Sequence, residues 1–398
     1  MLPHDKICAL PWVSIEATPT GAMRVCCLSL DEIKHQGQVL SINQGLIAGY
    51  KSDSMQLLRK EFLAGKQPDQ CQRCWNEESA GRTSKRQWHL IKFADNLNSI
   101  NWHNTNPDQL WFLDLKLGNI CNLKCRICGT WSSSKWAQEE MNFQNPDNPH
   151  ESRAYTQLKL GQWPRQSSEF WQELVTLLPQ VRYFEFTGGE PFLIQEHFDL
   201  LQMAVDLGHS HHISLHYNTN GTTWPSTDVW QHFHKVEIAF SIDNTGPKFE
   251  VERHGASWAQ VEHTLDQARD LRNHHSNVVL QVCVTVNIQN VYYLDEICQW
   301  IDCQGFDMVY FNMLHDPWYM NIAHMTTQAR SMVLDKLTHG TFALAYQKDI
   351  NAIVNFINNG AGSDGKEFCD FMRRIDVNRK ENFLSSHENI ARSMGYGS

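Results

Sequence analysis

The sequence predicts an α/β fold: a partial (β/α)6 barrel of TIM-like type, with a small N-terminal cysteine-rich cluster domain and a C-terminal helical segment. Three observations carry this reading. Six apolar, β-branched or aromatic runs between residues 111 and 314 alternate with helix-like stretches. Short motifs rich in Gly, Asn or Cys follow directly on four of those runs. Five of the twelve cysteines lie ahead of the first run, before residue 75.

The first run is WFLDLKL (111–117), and CNLKCRIC (Cys121–Cys128) follows it. SSSKWAQEEM then reads as a helix with Ser132 or Ser133 as N-cap. VRYFEF (181–186) leads into TGGEP (187–191), and QEHFDLLQMAVDLG is helical with Gly208 at its end. HISLHYN (212–218) ends in NTNG (218–221), and VEIAFSI (236–242) ends in SIDN (241–244). The helix-like SWAQVEHTLDQARDLRNH precedes VVLQVCVTV (278–286). VYYLDEICQWIDCQG, ending at Gly305, precedes MVYFNML (308–314). Such alternation gives a parallel sheet with crossover helices, and barrels of this kind place their chemistry on the loops after the strands. The polar stretch 147–162 reads as an insertion or flexible loop covering that face, and RTSKR (82–86) as facing water. Beyond about residue 322 the chain is helical, broken at GAGSDG (360–365). The expected divisions are 1–105, 106–320 and 321–398.

The chain has 398 residues, enough for one large and one or two small domains. A net charge of −10 argues against a general nucleic-acid binder, and no apolar run is long enough to span a bilayer. The N-terminus MLPHDKICAL lacks a signal-peptide core, so the expected home is the cytoplasm, where cysteines serve as thiols and metal ligands. The fourteen tryptophans read as packing residues, and the twenty histidines mostly as solvated polar positions. Among the single cysteines, Cys283, Cys298, Cys303 and Cys369, burial as small apolar residues is expected.

Three thiolates on one short loop pose a specific question. Structural zinc takes four protein ligands. A [4Fe–4S] cube wants one terminal ligand per iron, so three cysteines leave a corner open. A chance cluster, or a zinc site completed by a distant residue, are the competing readings. The combination of CxxxCxxC after the first strand with GGEP after the second resembles the radical S-adenosylmethionine (SAM) superfamily over roughly residues 108–315. The resemblance implies that Cys121, Cys125 and Cys128 hold a [4Fe–4S] cluster whose open iron binds SAM. It implies that Gly188, Gly189 and Glu190 meet the SAM amino group, largely through backbone, and that Asn218 and Asn220 meet the ribose. Ser241, Asp243 and Arg253 would hold the ribose and the methionine carboxylate. Where many members carry an aromatic residue before the third cysteine, this chain has Ile127. The implied chemistry is reductive cleavage of SAM to a 5′-deoxyadenosyl radical, which abstracts hydrogen from a substrate; a flavodoxin- or ferredoxin-type reductant is the implied electron source.

The stretches CALPW, GAMRVCC and CQRCWNEESAGRTSKR resemble the auxiliary-cluster region of twitch- or SPASM-type members, here placed ahead of the barrel. That implies a second [4Fe–4S] cluster on Cys8, Cys26, Cys71 and Cys74, with Cys27 able to replace Cys26; a four-cysteine zinc site is the alternative. The expected substrate is a peptide or protein, as in maturases and epimerases, with Cys369 as a hydrogen donor in the epimerase variant. A small molecule such as a sugar, nucleotide or amine is the alternative, and a non-catalytic metal-bound scaffold the alternative of another class. Neither nucleic acid nor membrane is expected as a partner.

Overall fold

Eight strands form the main sheet of the computed structural model, which describes residues 2–397. They are β1 (Ser14–Ala17), β2 (Met23–Arg24), β3 (Phe112–Leu115), β4 (Tyr183–Phe186), β5 (Ser214–Thr219), β6 (Lys235–Ser241), β7 (Val278–Val286) and β8 (Met308–Met313). Strands β3 to β8 are the six runs marked out by the sequence. They lie parallel, each beside the next in chain order, as the strand–helix alternation requires. The N-terminal region joins the same sheet. Its β1 pairs in parallel with β3, and β2 turns back antiparallel on β1. The N-terminal segment therefore extends the barrel sheet, and one continuous apolar core runs from Ile7 to Tyr396.

Side chains alternate between the two faces of a strand. Phe186 and Tyr217 face outward, onto His197 of the helix Gln195–Asp206, whose ring lies 4.6 Å from that of Phe186. Gly208 follows this helix with φ +75, the left-handed turn a C-terminal glycine permits. The inner face is charged. Register sets Glu16, Asp114, Glu185, His216 and Glu237 side by side on β1, β3, β4, β5 and β6. The helix Lys85–Lys92, started by a capping box of Ser84 and Gln87, lies across this face. Lys85 donates to both oxygens of Glu185 at 3.0 Å, His89 stacks on Phe112 at 5.2 Å, and Lys92 reaches Glu237 at 2.8 Å.

RTSKR thus does not face water. Arg82 pairs with Glu77 and donates to the Phe311 carbonyl, and buried Arg86 grips Glu78 and the Ile7 carbonyl. The reason is a pair of half-buried acids, Glu77 and Glu78, that sequence spacing does not locate. The polar stretch 147–162 is no free loop either. It contains the helix Arg153–Leu160, capped by the Ser152 hydroxyl, and Asn119 donates to the Gln157 carbonyl at 3.0 Å. Past β8 the chain forms the helices Thr327–His339, Gln347–Asn358 and Lys366–Arg379. The glycine-rich link before the last is tied down, with the Gly362 N–H on the Ala323 carbonyl at 2.9 Å. Among the described residues, no helix is long and apolar enough to cross a membrane.

Candidate functional site

The cysteine loop leaves β3 and is fixed from three sides. Lys124–Cys125 pairs antiparallel with Arg253–His254. Ser133 caps the helix Ser134–Gln144 and donates its hydroxyl to the Leu123 carbonyl at 2.6 Å. Trp136 Nε1 donates to the Cys125 carbonyl at 2.7 Å. The Leu123 N–H points at Cys121 Sγ, 3.5 Å away, and Arg253 Nη1 lies 3.9 Å from Cys125 Sγ. Burial pushes the Cys128 thiol up to about 12, and it raises Cys121 and Cys125 as well. Cys125 adds to the shift of its two companions. Three thiols this buried ionise only against a strongly positive partner, and a metal cluster is such a partner. Asn220 Nδ2, 4.0 Å from Cys121 Sγ, faces the loop as a donor and not as a ligand.

The glycine loop after β4 packs directly on the cysteine loop. Gly188 and Gly189 both have left-handed φ, +73 and +60. A Cβ on Gly189 would come within 2.6 Å of the Ile120 carbonyl oxygen, so only glycine fits there. The Gly189 N–H meets the Ser132 carbonyl at 3.2 Å, and the Glu190 N–H meets the Ile120 carbonyl at 2.7 Å. Glu190 has a bracing function beyond its backbone. Its fully buried carboxylate accepts from Thr219 Oγ1 at 2.7 Å, the Asn220 N–H at 2.7 Å and the Phe192 N–H at 3.3 Å. It thereby binds the loop after β4 to the end of β5. Burial pushes this carboxyl up to about 7, against the pull of those donors.

The remaining candidates line the same strand-end face. Asn220 donates to Asn122 Oδ1 at 3.0 Å, joining the end of β5 to the cysteine loop. Asn218 points elsewhere along the inner face, to the Tyr310 hydroxyl at 3.1 Å and to His216. Ser241 stands beside Cys283 in register. Buried Asp243 receives Arg253 Nη2 at 2.5 Å and the Thr285 N–H at 2.8 Å, so Asp243 holds Arg253 against Cys125.

The N-terminal cysteines converge as well. Cys8, Cys26, Cys71 and Cys74 line one pocket with Val25, Phe62 and Arg86 among its walls. Burial raises all four thiols, to about 12 for Cys8. Among the described residues no three thiols of either group come within 4.8 Å of one another. Cys27, the substitute considered for Cys26, is absent from this pocket; its neighbours are Lys85, Asp114 and Glu185 on the inner face of the sheet. Cys369 stands apart from every one of these groups. It lies in the helix Lys366–Arg379, with Sγ donating to the Met394 carbonyl at 3.3 Å inside the helical layer. Helical packing accounts for that thiol.

One supporting residue escaped sequence reasoning. Arg126, inside the CxxxCxxC loop, is fully buried and donates to Asp376 at 2.6 Å, Glu381 at 2.7 Å and the Val251 carbonyl at 3.0 Å. Arg379 adds a bond to the Lys124 carbonyl at 2.8 Å. The C-terminal helix thus clamps the cysteine loop from behind.

Residues 115–301, just under half of the chain, match the Radical SAM superfamily and form a domain of that type. No curated protein matches the chain. Among solved structures it is similar to native anSMEcpe with bound AdoMet, at 18% identity and a TM-score of 0.38, covering 57% of this chain and 59% of that one. It is also similar to SuiB of Streptococcus suis, at 12% identity and a TM-score of 0.34, covering 90% of this chain and 70% of that one. The chain thus spans less than two thirds of the anSMEcpe chain it resembles.

Proposed function

We propose that this chain, whose residues 115–301 are a radical SAM domain, is an enzyme that cleaves SAM reductively and abstracts a hydrogen atom from a peptide or protein substrate. The observation that carries the reading is a convergence on one strand-end face. Three thiols of one loop, one buried and two half-buried, the Gly188–Gly189 turn and the Asp243–Arg253 pair lie together there, inside a domain of matching family. Bound by Cys121, Cys125 and Cys128, a reduced [4Fe–4S] cluster with SAM supplies one-electron cleavage of the sulfonium carbon–sulfur bond and a 5′-deoxyadenosyl radical. The protein's own residues position and shield. Gly188 and Gly189 let backbone approach a ligand that a Cβ would block. Glu190 keeps that turn seated on Thr219 and Asn220. Arg253, braced by Asp243, offers a fixed cation to a carboxylate beside Cys125. Asn220 and Ser241 supply polar atoms for a ribose, while Asn218 is engaged by Tyr310 and His216.

Cys8, Cys26, Cys71 and Cys74 are the ligands of a second, auxiliary cluster in this proposal, on the support of their shared pocket. A flavodoxin- or ferredoxin-type protein is the electron source, and the reducing cytoplasm the setting that keeps twelve cysteines reduced. A second reading has its own support. The inner face carries Glu16, Asp114, Glu185, His216 and Glu237 in one row, which suits a polar small molecule entering the barrel. The deciding experiment for the central reading supplies SAM and dithionite to the anaerobically reconstituted protein. Release of 5′-deoxyadenosine by the wild type and none by Cys125→Ala is expected; no release under any reductant overturns it. A rise in that release on adding peptides, rather than polar metabolites, separates the two substrate classes.

A further inference from the structure

The inner face of the barrel holds a third group of metal-binding side chains, apart from both cysteine pockets. Cys27 Sγ, one carboxylate oxygen of Asp114 and one of Glu185 lie within 4.8 Å of one another. Chain topology brings them together: Asp114 and Glu185 are register partners on β3 and β4, and Cys27 follows β2 at the edge of the same sheet. Asp114 is fully buried, and Cys27 and Glu185 are half-buried.

A further fact points to a ligand. Asp114 Oδ2 accepts no hydrogen bond, nor does Oε2 of Glu16, the next acid in the row, which is 2% exposed. Their other oxygens share the Lys116 ammonium, at 2.9 and 2.7 Å. The row is otherwise balanced: Lys85 and Lys116 pair with Glu185, Asp114 and Glu16, Arg24 is the register partner of Glu16, and Lys92 and Lys235 pair with Glu237. The unpartnered Asp114 oxygen beside Cys27 is what asks for a ligand.

We propose that Cys27, Asp114 and Glu185 form a mononuclear divalent-metal site of zinc type. One thiolate with two carboxylates is a borderline-soft donor set that zinc accepts, and three protein ligands leave a position open toward the barrel interior. The donors already lie within 4.8 Å of one another, and a small rotamer adjustment would bring them to the roughly 3.5 Å a zinc tetrahedron requires. An ion there would offer its free position to an oxygen or nitrogen of the substrate. The site stands whether or not the proposed SAM chemistry does.

The test uses the iron-loaded, desalted protein, equilibrated with micromolar free zinc. One retained zinc per chain is expected, and its K-edge absorption should show a single sulfur at about 2.3 Å among oxygen neighbours. Cys27→Ser should remove that sulfur and weaken zinc binding at least about tenfold, with iron content unchanged. Asp114→Asn should weaken zinc comparably; it decides the matter if Cys27→Ser also loses iron. No retained zinc overturns the proposal. So does zinc with four sulfur neighbours that Cys27→Ser leaves untouched, since that ion belongs to the Cys8, Cys26, Cys71 and Cys74 pocket. Release of 5′-deoxyadenosine, measured alongside, reports separately on the radical SAM reading.

Discussion

Replacing Arg126 by methionine should destabilise the chain far more than a single surface-loop change. The guanidinium is fully buried and spans Asp376, Glu381 and the Val251 carbonyl. Methionine keeps an apolar stem of similar length but leaves the carbonyl undonated and two acids without their shared cation. Removing one partner of a buried ion pair costs about 3–5 kcal/mol. Here each acid keeps other donors: Asp376 has the Phe383 N–H at 2.7 Å and the Tyr396 hydroxyl at 2.5 Å, and Glu381 has His254. That places the expected loss near the lower end, about 3 kcal/mol, a large fraction of the 5–15 kcal/mol typical of a folded protein. Anaerobic urea unfolding followed by tryptophan fluorescence measures it. Adding Asp376→Asn removes one stranded charge, so the double variant should be more stable than the sum of the single losses by about 0.5–3 kcal/mol. Chelators should also strip iron faster from Arg126→Met, because the clamp holds the residue next to Cys125. A single-variant loss under about 0.5 kcal/mol, or strict additivity, would refute the reasoning.

Gly189→Ala forces a side chain into left-handed backbone and against the Ile120 carbonyl. The conformational cost alone is about 1–2 kcal/mol, so SAM affinity should fall about tenfold or more with iron retained, as read by equilibrium dialysis. Cys71→Ala should lower bound iron from about eight to about four per chain while 5′-deoxyadenosine release persists at a reduced rate. Burial holds His89 and His197 down to about 3, so the fold keeps them neutral. Between pH 6.5 and 3 the unfolded chain takes up protons that the fold refuses. Stability is therefore fully present above 6.5 and lost as pH falls, by about 2.5 kcal/mol for the pair between pH 7 and 5.5. Urea midpoints at the two pH values check this, and His197→Asn should remove about half the difference.

Much of the barrel was readable because its strands announce themselves. VVLQVCVTV and VEIAFSI are β-branched and apolar beyond what a helix of that length would carry, and serine caps fix the helix after the cysteine loop. Strand β1 was not readable: SIEA is four residues long, and its place is set by pairing with Phe112–Leu115, a contact nearly a hundred residues away. The inner-face row did leave a trace. Asp114, Glu185, His216 and Glu237 each interrupt an otherwise apolar strand, and an ionisable residue amid a buried parallel strand must have a partner. What no spacing could show was that Lys85, from a motif read as solvated, and Lys92, at the far end of the same helix, are among those partners. The same holds for Cys27 and Cys26. They are adjacent in sequence, yet backbone geometry turns Cys26 into the cysteine pocket and Cys27 toward the carboxylates.

Low-temperature electron paramagnetic resonance of the dithionite-reduced protein tests the cluster assignment most directly. With Cys71 and Cys74 both changed to alanine, only the Cys121, Cys125 and Cys128 site should give a signal. Adding SAM should shift its g-values, and Cys125→Ala should abolish the signal. A spectrum identical with and without SAM would mean that the corner is closed by the protein, and the account of this chain as a SAM-cleaving enzyme would be wrong.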